Sequence, residues 1–255
     1  MSKKEMPQIT GRLSSISLVF PAYNEELNIE KAISEAIRIL TLYADKFEVI
    51  VVNDGSADKT AEIVNRLAEA DDRVMPVHHE KNRGYGAAIG SGFKKSRYDF
   101  VFFTDSDLQF NLEEISELIK WINNYDIVVG YRAKRADPMH RKLNAWAWNQ
   151  LVRALLGIKV RDIDCAFKLF RRKVFDTITL NSLGAMVNTE LLAMSAQHGF
   201  TMKEVPVSHY PRAKGQQTGA SLRVIAKAFI ELYKMRGRLR SHFAVRQAEK
   251  VTQSR

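Results

Sequence analysis

Two carboxylates one residue apart are the strongest chemical signal in this sequence. Asp105 and Asp107 directly follow the apolar run at residues 100–103, whose length and composition are typical of a buried strand. Mg²⁺ and Mn²⁺ prefer carboxylate, water and phosphate oxygens, so this pair could share a divalent cation, with Gln109 adding a neutral oxygen. Such a cation could neutralise a diphosphate leaving group. Alone the pair is weak evidence, because two acids in a loop are usually just solvated.

A turn with a further carboxylate follows another β-branched run. Asp54, Gly55 and Ser56 follow residues 49–52, with Asn53 between them. Asp54 could accept hydrogen bonds from a base or a ribose, and Gly55 permits a positive φ and a close backbone approach. The alternative is an ordinary turn in which Ser56 or Asp58 caps the next helix.

A glycine-rich segment at residues 82–88 opens a predicted helix with Gly84 and Gly86. Such a helix N-terminus can hold an anion. The segment is not a Walker loop, because no Gly-Lys-Ser/Thr follows, and Gly90 lies one place too late for the dinucleotide-binding pattern. The alternative interpretation is tight packing of the helix on the sheet.

The elements that must position these loops alternate between strand and helix over the first 130 residues. Short apolar runs predict strands at residues 16–20, 47–52, 74–78, 100–104 and 126–130. Helical apolar spacing predicts helices at residues 25–42, 58–70, 84–95 and 111–123. This alternation implies right-handed βαβ units and a mainly parallel sheet that is covered on both faces. Ligands bind at the carboxyl ends of such strands, where the three polar loops would meet.

The later part of the chain has a more mixed pattern. In chain order it predicts a helix at 138–156, a strand at 165–171, a helix at 189–198, a strand at 202–207, a loop at 210–218 and a helix at about 220–240. A chain of 255 residues with 45% hydrophobic content suits one large α/β domain with a C-terminal extension. We expect the domain at residues 15–215 and a basic amphipathic helix within 216–242, flanked by disordered ends at 1–14 and 243–255.

The composition indicates a reduced, cytoplasmic setting. Cys165 is the single cysteine, so no intrachain disulfide can form. Residues 1–12 are polar and lack the apolar region of a secretory signal, and no stretch reaches 18 consecutive apolar residues. We therefore expect a cytoplasmic protein without a spanning helix.

Positive charge is concentrated towards the C-terminal end. Residues 211–255 hold 11 Lys and Arg against 2 Asp and Glu, so they carry +9 of the net charge of +10. The basic residues of the final helix lie largely away from its apolar face, which is formed by Leu222, Ile225, Phe229 and Leu232. Such a helix can lie in an anionic membrane interface or pack on the domain, and the sequence leaves both open. No aromatic platform or recognition motif interleaves with the charges, so we do not expect nucleic-acid binding.

Taken in order, the motifs resemble those of family 2 glycosyltransferases. They are Phe20-Pro21-Ala22-Tyr23-Asn24-Glu25, Val52-Asn53-Asp54-Gly55-Ser56-Ala57-Asp58-Lys59-Thr60, Asn82-Arg83-Gly84-Tyr85-Gly86-Ala87-Ala88, Thr104-Asp105-Ser106-Asp107-Leu108-Gln109, Val129-Gly130-Tyr131-Arg132, Arg161-Asp162 with Phe167-Lys168-Leu169, Glu204-Val205-Pro206-Val207, and His209-Tyr210-Pro211-Arg212 with Gly215 and Thr218-Gly219. Each motif alone is weak, but the ordered set is specific and covers about residues 16–235. The branch that it resembles most is that of the dolichyl- or polyprenyl-phosphate sugar transferases.

The resemblance implies an α/β fold of the GT-A type and an inverting transfer of a sugar from a UDP- or GDP-sugar to a polyprenyl phosphate. It implies that Asp105, Asp107 and Gln109 hold Mg²⁺ or Mn²⁺. The residues that it implies for the nucleotide-sugar are Pro21, Ala22, Tyr23, Glu25, Val52, Asp54, Gly55, Asn82, Gly84 and Ser106. For catalysis it implies Asp105 and Asp107 together with the basic residues Arg132, Arg141 and Arg212.

The implied partners are the nucleotide-sugar, the lipid phosphate and the cytoplasmic face of a membrane, with an anchoring subunit or a second copy of the chain as further options. Two features depart from the family. Relatives often have a small residue followed by Phe-Arg where this chain has Cys165-Ala166-Phe167-Lys168, which leaves the sugar open. Many relatives also have C-terminal transmembrane helices and this sequence shows none, which leaves the mode of membrane binding open.

Two other functions stay open at this point. A glycosyltransferase of the same fold could use a glycan or another alcohol as acceptor, with Asp162 or Asp164 as a general base. A non-catalytic subunit that only binds the nucleotide-sugar would keep the fold, although the intact acids at the predicted site argue against it. A phosphate monoester is already an anion at pH 7, so a lipid-phosphate acceptor needs fixed cations that screen two polyanions rather than a strong base.

Overall fold

The computed structural model describes residues 11–134, 139–212 and 231–238. Several predicted features therefore lie outside the described residues. They are the N-terminal segment up to residue 10, the late loop beyond residue 212, the first part of the final helix and the tail at 243–255.

The core of the molecule is a seven-stranded sheet in the order β3-β2-β1-β4-β6-β5-β7. Its strands are β1 (Leu13–Ala22), β2 (Ala44–Asn53), β3 (Val74–His78), β4 (Phe100–Thr104), β5 (Ile127–Lys134), β6 (Phe167–Arg171) and β7 (Met202–Ser208). Strand β6 runs antiparallel to its two neighbours, and the other paired strands are parallel. The predicted α/β class with a mainly parallel sheet is confirmed.

Seven named helices accompany the sheet within the described ranges. They are α1 (Ile29–Tyr43), α2 (Thr60–Ala70), α3 (Tyr85–Lys95), α4 (Ile115–Ile122), α5 (Met139–Leu156), α6 (Lys173–Thr177) and α7 (Val187–Gln197). Residues 231–238 form a further helical segment. The short helix α6 was not predicted, because five residues are too few for a periodic apolar pattern.

Most elements begin or end a few residues away from the predicted bounds, and two of these differences have an identifiable local cause. Helix α1 begins four residues later than expected, because the carbonyl of Glu25 accepts from the amides of both Asn28 and Ile29 in a preceding turn. The predicted helix at 111–123 begins as a 3-10 turn (Leu112–Glu114), with the Asn111 side chain accepting from the amide of Glu113. Glu25, a predicted site residue, therefore lies in the turn before α1 and not in the helix.

Burial of the central strands follows from their continuous apolar sequence. All five residues of β4 are buried, and so are nine of the ten residues of β1. Strands that are covered on both faces need apolar side chains on both, so they read as uninterrupted runs rather than as alternation. The carboxyl ends of β1, β2 and β4 therefore come to one edge of a rigid sheet.

The antiparallel strand β6 brings a later part of the chain to that same edge. Its first residue, Phe167, pairs with Thr104 at the end of β4, and Lys168 pairs with Phe103. The segment that leads into β6 consequently lies beside the loop that holds Asp105 and Asp107. Among the helices described here, none is both long and apolar enough to cross a bilayer.

Candidate active site

A cavity of about 690 Å³ opens at the carboxyl edge of the sheet. Ten predicted site residues line it: Pro21, Ala22, Tyr23, Glu25, Asp54, Asn82, Asp105, Ser106, Asp107 and Arg212. Asn24, Tyr85 and Ala88 complete the described lining. The loops after β1, β2 and β4 thus contribute to a single site.

The carboxylates of Asp105 and Asp107 are partly withdrawn from water and lie close together. Burial, together with the charge of Asp107, raises the pKa of Asp105 to about 7. Burial also raises the pKa of Asp107, whose Oδ1 accepts from the amide of Gln109 at 3.2 Å. Two neighbouring acids in this state resist being ionised together, and a bound cation removes that resistance.

Tyr85, to which the sequence alone assigned no role, holds Asp105 by a hydrogen bond. The Tyr85 hydroxyl donates to Asp105 Oδ1 at 2.7 Å, and its ring packs edge-on against Phe103 with 6.3 Å between ring centroids. Burial and the nearby carboxylates raise the pKa of Tyr85 well above its usual value, so the hydroxyl stays a donor. Nothing in the local sequence pattern shows that the first residue of α3 reaches the loop after β4.

Asp54 is held by the start of α3. Its Oδ1 accepts from the amide of Arg83 at 2.9 Å and its Oδ2 from the amide of Gly84 at 2.8 Å, while Gly84 has a φ of 100°. The amide of Gly86 donates to the carbonyl of Leu183 at 2.8 Å. The glycine-rich segment therefore receives the protein's own carboxylate and packs tightly, so the packing alternative describes it better than a site for an external anion.

Arg212 links two loops of the cavity from a distant part of the chain. Its Nη2 contacts Glu25 Oε1, and its Nη1 lies 3.8 Å from Asp107 Oδ2. The side-chain amide of Asn28 also donates to Glu25, to Oε2 at 2.8 Å. Ser106 fastens the same loops together by donating to the Pro21 carbonyl at 3.0 Å. The guanidinium of Arg212 is thereby held at the wall of the cavity, next to the Asp pair.

Two more cations lie behind the Asp pair. The Arg132 guanidinium binds the Asp162 carboxylate in two short bonds, from Nε at 2.7 Å and from Nη2 at 2.6 Å. Lys168 is fully buried, and its Nζ donates to the Cys165 carbonyl and, at 2.9 Å, to Asn188 Oδ1. The charges of both residues favour the ionised form of Asp105. The sequence placed both residues in matched motifs, but it implied a catalytic role only for Arg132 and noted Lys168 as a departure from the usual Phe-Arg.

Among the predicted site residues that the structure describes, Arg132 and four others do not line the cavity: Val52, Gly55, Gly84 and Gln109. Val52 is buried in β2, and Gly55 occupies a turn with a φ of 68°. Gly84 lies behind Asp54, and the side-chain amide of Gln109 donates to the carbonyl of Tyr210 at 2.9 Å. The side chain of Arg141 lies outside the described part of the molecule.

Residues 17–179 match the family model described as "Glycosyl transferase family 2". The chain belongs to glycosyltransferase family 2. The match includes Asp54, Asp105, Asp107 and Arg132 but ends before Arg212, which joins the site only through the fold. The resemblance noted in the sequence is thus confirmed.

Relatives within the family include two with named activities. Over 207 residues the chain is 35% identical to glycosyltransferase AglD of Haloferax volcanii, covering 77% of this chain and 33% of that protein. It is 31% identical over 218 residues to an undecaprenyl-phosphate 4-deoxy-4-formamido-L-arabinose transferase of Pseudomonas aeruginosa, covering 84% of this chain and 63% of that protein. The chain therefore spans less than two thirds of the length of these curated relatives.

A solved structure with the same fold is glucosyl-3-phosphoglycerate synthase from Mycobacterium tuberculosis. It superposes with a TM-score of 0.66 at 22% identity, over 88% of this chain and 80% of that one. At this identity the likeness speaks for the fold, and it confirms the GT-A architecture that the family resemblance implied.

The donor set at the Asp pair suits a hard divalent cation. Among the residues that the structure describes, no group of three or more His, Cys, Asp or Glu side chains is arranged to hold a metal. Mg²⁺ is commonly bound by only one or two carboxylates, with waters and substrate phosphates completing its shell. Asp105 and Asp107 fit that arrangement, in which the ligand itself supplies part of the coordination.

Proposed function

We propose that this family 2 protein is an inverting glycosyltransferase that moves a sugar from a UDP- or GDP-sugar to a polyprenyl phosphate with the help of Mg²⁺ or Mn²⁺. The observation that carries the proposal is the cavity in which Asp54, the Asp105–Asp107 pair and Arg212 lie together. A nucleotide-recognising carboxylate, a cation site and a fixed guanidinium are the parts that a nucleoside diphosphate requires.

Support for the donor comes from the related fold. Structures of the mycobacterial synthase contain UDP with Mn²⁺ or with Mg²⁺, and one contains UDP-glucose. In this chain Asp105 and Asp107 would hold the cation, and the cation would neutralise charge on the diphosphate leaving group. Pro21, Tyr23, Glu25 and Asp54 would contact the nucleoside.

Support for the acceptor comes from the bacterial relatives, whose name specifies undecaprenyl phosphate. A phosphate oxygen is already anionic at neutral pH, so the reaction needs cations rather than a strong base. Arg212 lines the cavity. The half-buried Arg132 keeps its charge, because the hydrogen bonds and charge of Asp162 outweigh burial and raise the pKa of Arg132. Fixed guanidinium groups stabilise the developing diphosphate charge more than they stabilise the ground state.

An alcohol acceptor would require a carboxylate base close to the transferred sugar. Asp162 was one candidate, but its oxygens accept from Arg132 Nε and Nη2, and its side chain is only 9% exposed. A carboxylate that is held this way is a poor proton acceptor, because the guanidinium favours its ionised form. This contact argues against Asp162 as the base, whereas Asp164, the other candidate, is exposed. A glycan or other alcohol acceptor that uses Asp164 therefore stays the alternative.

The catalytic domain in this proposal is the segment at 15–215, with peripheral binding to the cytoplasmic face of a membrane where the lipid phosphate lies. The basic residues of the C-terminal segment would contribute to that binding. An anchoring subunit or a second copy of the chain would serve the same purpose.

A single-turnover transfer assay tests the function. Radiolabelled UDP- and GDP-sugars are incubated with the protein, a short polyprenyl phosphate and Mn²⁺ or Mg²⁺. We expect a labelled product that extracts into organic solvent and disappears with EDTA. Donor hydrolysis without lipid product would move the acceptor to a glycan, and absence of donor binding would leave only a scaffold role.

A further inference from the structure

His79 links Asp54, which lines the cavity at the carboxyl edge of the sheet, to helix α3 through a continuous series of hydrogen bonds. His79 Nδ1 lies 2.6 Å from Asp54 Oδ1, and His79 Nε2 lies 2.9 Å from Ser91 Oγ. The side chains of His79 and Asp54 are only 5% and 4% exposed. These hydrogen bonds join His79, the residue after β3, to the loop after β2 and to the middle of α3.

The direction of these bonds follows from the donor and acceptor chemistry. An ionised carboxylate only accepts, so the Nδ1 atom of His79 must carry the hydrogen that points at Asp54. In the neutral ring, Nε2 then accepts from the Ser91 hydroxyl. Both ring nitrogens of His79 thus have a hydrogen-bond partner.

The Asp54 carboxylate is consequently fixed in orientation. Within the part of the chain that the structure describes, Oδ1 accepts from His79 and from the amide of Arg83, whereas Oδ2 accepts from the amide of Gly84 alone. A carboxylate oxygen can accept more than one hydrogen bond, so Oδ2 keeps capacity for a further donor. Since Asp54 lines the cavity, that donor can be a group of the ligand.

We infer that His79, anchored by Ser91, is a positioning residue that holds the Asp54 carboxylate for a hydrogen bond from the nucleoside of the donor. The inference rests on the proposed function, since it requires a nucleoside diphosphate in this cavity. His79 itself does not contact the ligand; it acts through Asp54. Its effect is therefore confined to ligands that carry the nucleoside.

The neighbouring histidine offers a matched control. His78 Nε2 lies 2.8 Å from Asn65 Oδ1, and its Nδ1 lies 3.2 Å from the side-chain nitrogen of Asn53. His78 is exposed and has no contact with Asp54 among these bonds. His79→Leu removes the hydrogen bond to Asp54, whereas in His79→Asn the side-chain amide can replace the Nδ1–H donor. His78→Asn changes the neighbouring ring, which does not contact Asp54, and serves as the control.

Calorimetric titration with UDP and with GDP, each with Mn²⁺, is compared with titration by inorganic diphosphate and Mn²⁺. We expect His79→Leu to weaken binding of the nucleoside diphosphate about tenfold and to leave diphosphate binding unchanged, as removal of a charge-assisted hydrogen bond implies. His79→Asn is expected to restore most of the affinity, and His78→Asn to bind like the wild type. Ser91→Ala, which keeps the His79–Asp54 contact but frees the ring, is expected to lose affinity a few-fold.

The outcomes separate this inference from the proposed function. If the wild type binds neither UDP nor GDP, the proposed function fails and the inference fails with it. If the wild type binds and His79→Leu binds equally well, only the inference is overturned. An equal loss of affinity for the nucleoside diphosphate and for inorganic diphosphate would show a general structural role and would also overturn the inference. If His79→Leu does not fold, Ser91→Ala provides the test, and unchanged binding by that variant overturns the inference.

Discussion

At the scale of single residues, the site concentrates negative charge that the folded chain does not fully neutralise. Burial and the charge of Asp107 raise the pKa of Asp105, while Tyr85, Lys168 and Arg132 lower it. Burial also raises the pKa of Asp107. The balance still leaves Asp105 with a raised pKa. Such opposed groups in a cavity are typical of functional sites rather than of groups selected for stability.

Removal of either acid is expected to abolish metal-dependent transfer. We expect Asp105→Asn and Asp107→Asn to lower kcat/KM at least about 100-fold at saturating Mn²⁺, because each removes a charged ligand that the neutral amide replaces poorly. Both variants should also unfold at a higher temperature than the metal-free wild type, since the repulsion between the acids is gone. Transfer assays and thermal unfolding measure the two effects.

A control for these variants lies at the opposite end of β4. Asp99 accepts from the hydroxyls of Ser14 and Ser15 at 3.0 and 2.8 Å, and these bonds lower its pKa. Asp99→Asn should keep wild-type transfer and gain no stability. Near-wild-type turnover in both Asp105→Asn and Asp107→Asn would contradict the metal site.

The raised pKa of Asp105 predicts opposite pH effects on stability and on metal binding. The pKa is about 7 in the folded chain against an ordinary 3.8, so the folded state binds the proton more tightly. Below pH 4 this contribution to stability is fully present, and it is lost as the pH rises to about 7. Because the cation requires the ionised acid, Mn²⁺ affinity should rise through the same range and level off above it.

Urea unfolding in EDTA and Mn²⁺ titration, each between pH 5 and 8.5, measure these effects. The free energy of unfolding of Asp105→Asn should exceed that of the wild type by more at pH 8 than at pH 5. A constant Mn²⁺ affinity across this range would show that Asp105 stays ionised throughout.

At the scale of elements, the site depends on how α3 and β6 pack. Helix α3 delivers Tyr85 to Asp105 and the amides before it to Asp54, which requires its first turn to lie against residues 182–184. Strand β6 enters antiparallel beside β4 and delivers Lys168 beneath the Asp pair. Rigid elements of this kind hold side chains more precisely than loops do.

Two glycines of α3 are expected to respond oppositely to alanine. A Cβ at Gly86 would lie 2.2 Å from the carbonyl oxygen of Ser182, whereas a Cβ at Gly90 would meet nothing within 4 Å. We expect Gly86→Ala to lower the free energy of unfolding by roughly 1–3 kcal/mol through overpacking. Gly90→Ala should raise it by about 0.5–1 kcal/mol, because alanine favours the helix.

Urea unfolding curves of the two variants provide the comparison. Gly86→Ala should also reduce transfer, because it displaces the helix start that carries Tyr85, while Gly90→Ala should retain it. Equal stability of the two variants would show that the first turn of α3 is not packed against the loop at 182–184.

At the scale of the whole molecule, the C-terminal segment is partly integrated into the domain. In the helical segment at 231–238, Leu232 is 2% exposed and Met235 is fully buried, and both belong to the hydrophobic core. Tyr233 is 80% exposed, and Arg238 Nη2 lies 3.8 Å from the buried carboxylate of Glu190. The apolar face in this segment packs on the domain, one of the two alternatives that the sequence left open.

This packing predicts a contrast between adjacent residues. Met235→Ala should lower the free energy of unfolding by roughly 2–4 kcal/mol, because it leaves a cavity in the core. Tyr233→Ala should change it by no more than about 0.5 kcal/mol, as is usual for an exposed position. Urea unfolding measures both values, and flotation with anionic liposomes shows whether either change affects membrane binding. A Met235→Ala variant that is stable but no longer floats would place this face in the membrane instead.

The sequence by itself determined the family, the α/β class and the identity of the three polar loops. Parallel strands that are covered on both faces must be continuous apolar runs, so β4 at 100–104 could be located to the residue. The edge strand β3 at 74–78 is only partly buried and was located by its short apolar run alone. Since loops at the carboxyl ends of such strands share one edge, Asp54, Asp105 and Asp107 could be expected to meet. These inferences are local, because each depends on neighbouring residues.

Only the tertiary structure decided which distant residues complete the site. Arg212 reaches Glu25 across 187 positions, Lys168 lies beneath Asp105 because β6 runs antiparallel, and His79 meets Asp54 across 25 positions. Pairing between separated segments depends on strand register and on the packing of whole elements. Neither leaves a periodic trace in the sequence around these residues. The family resemblance had named Arg212, but its contact with Glu25, the position of Lys168 and the contact of His79 with Asp54 became visible only in the folded chain.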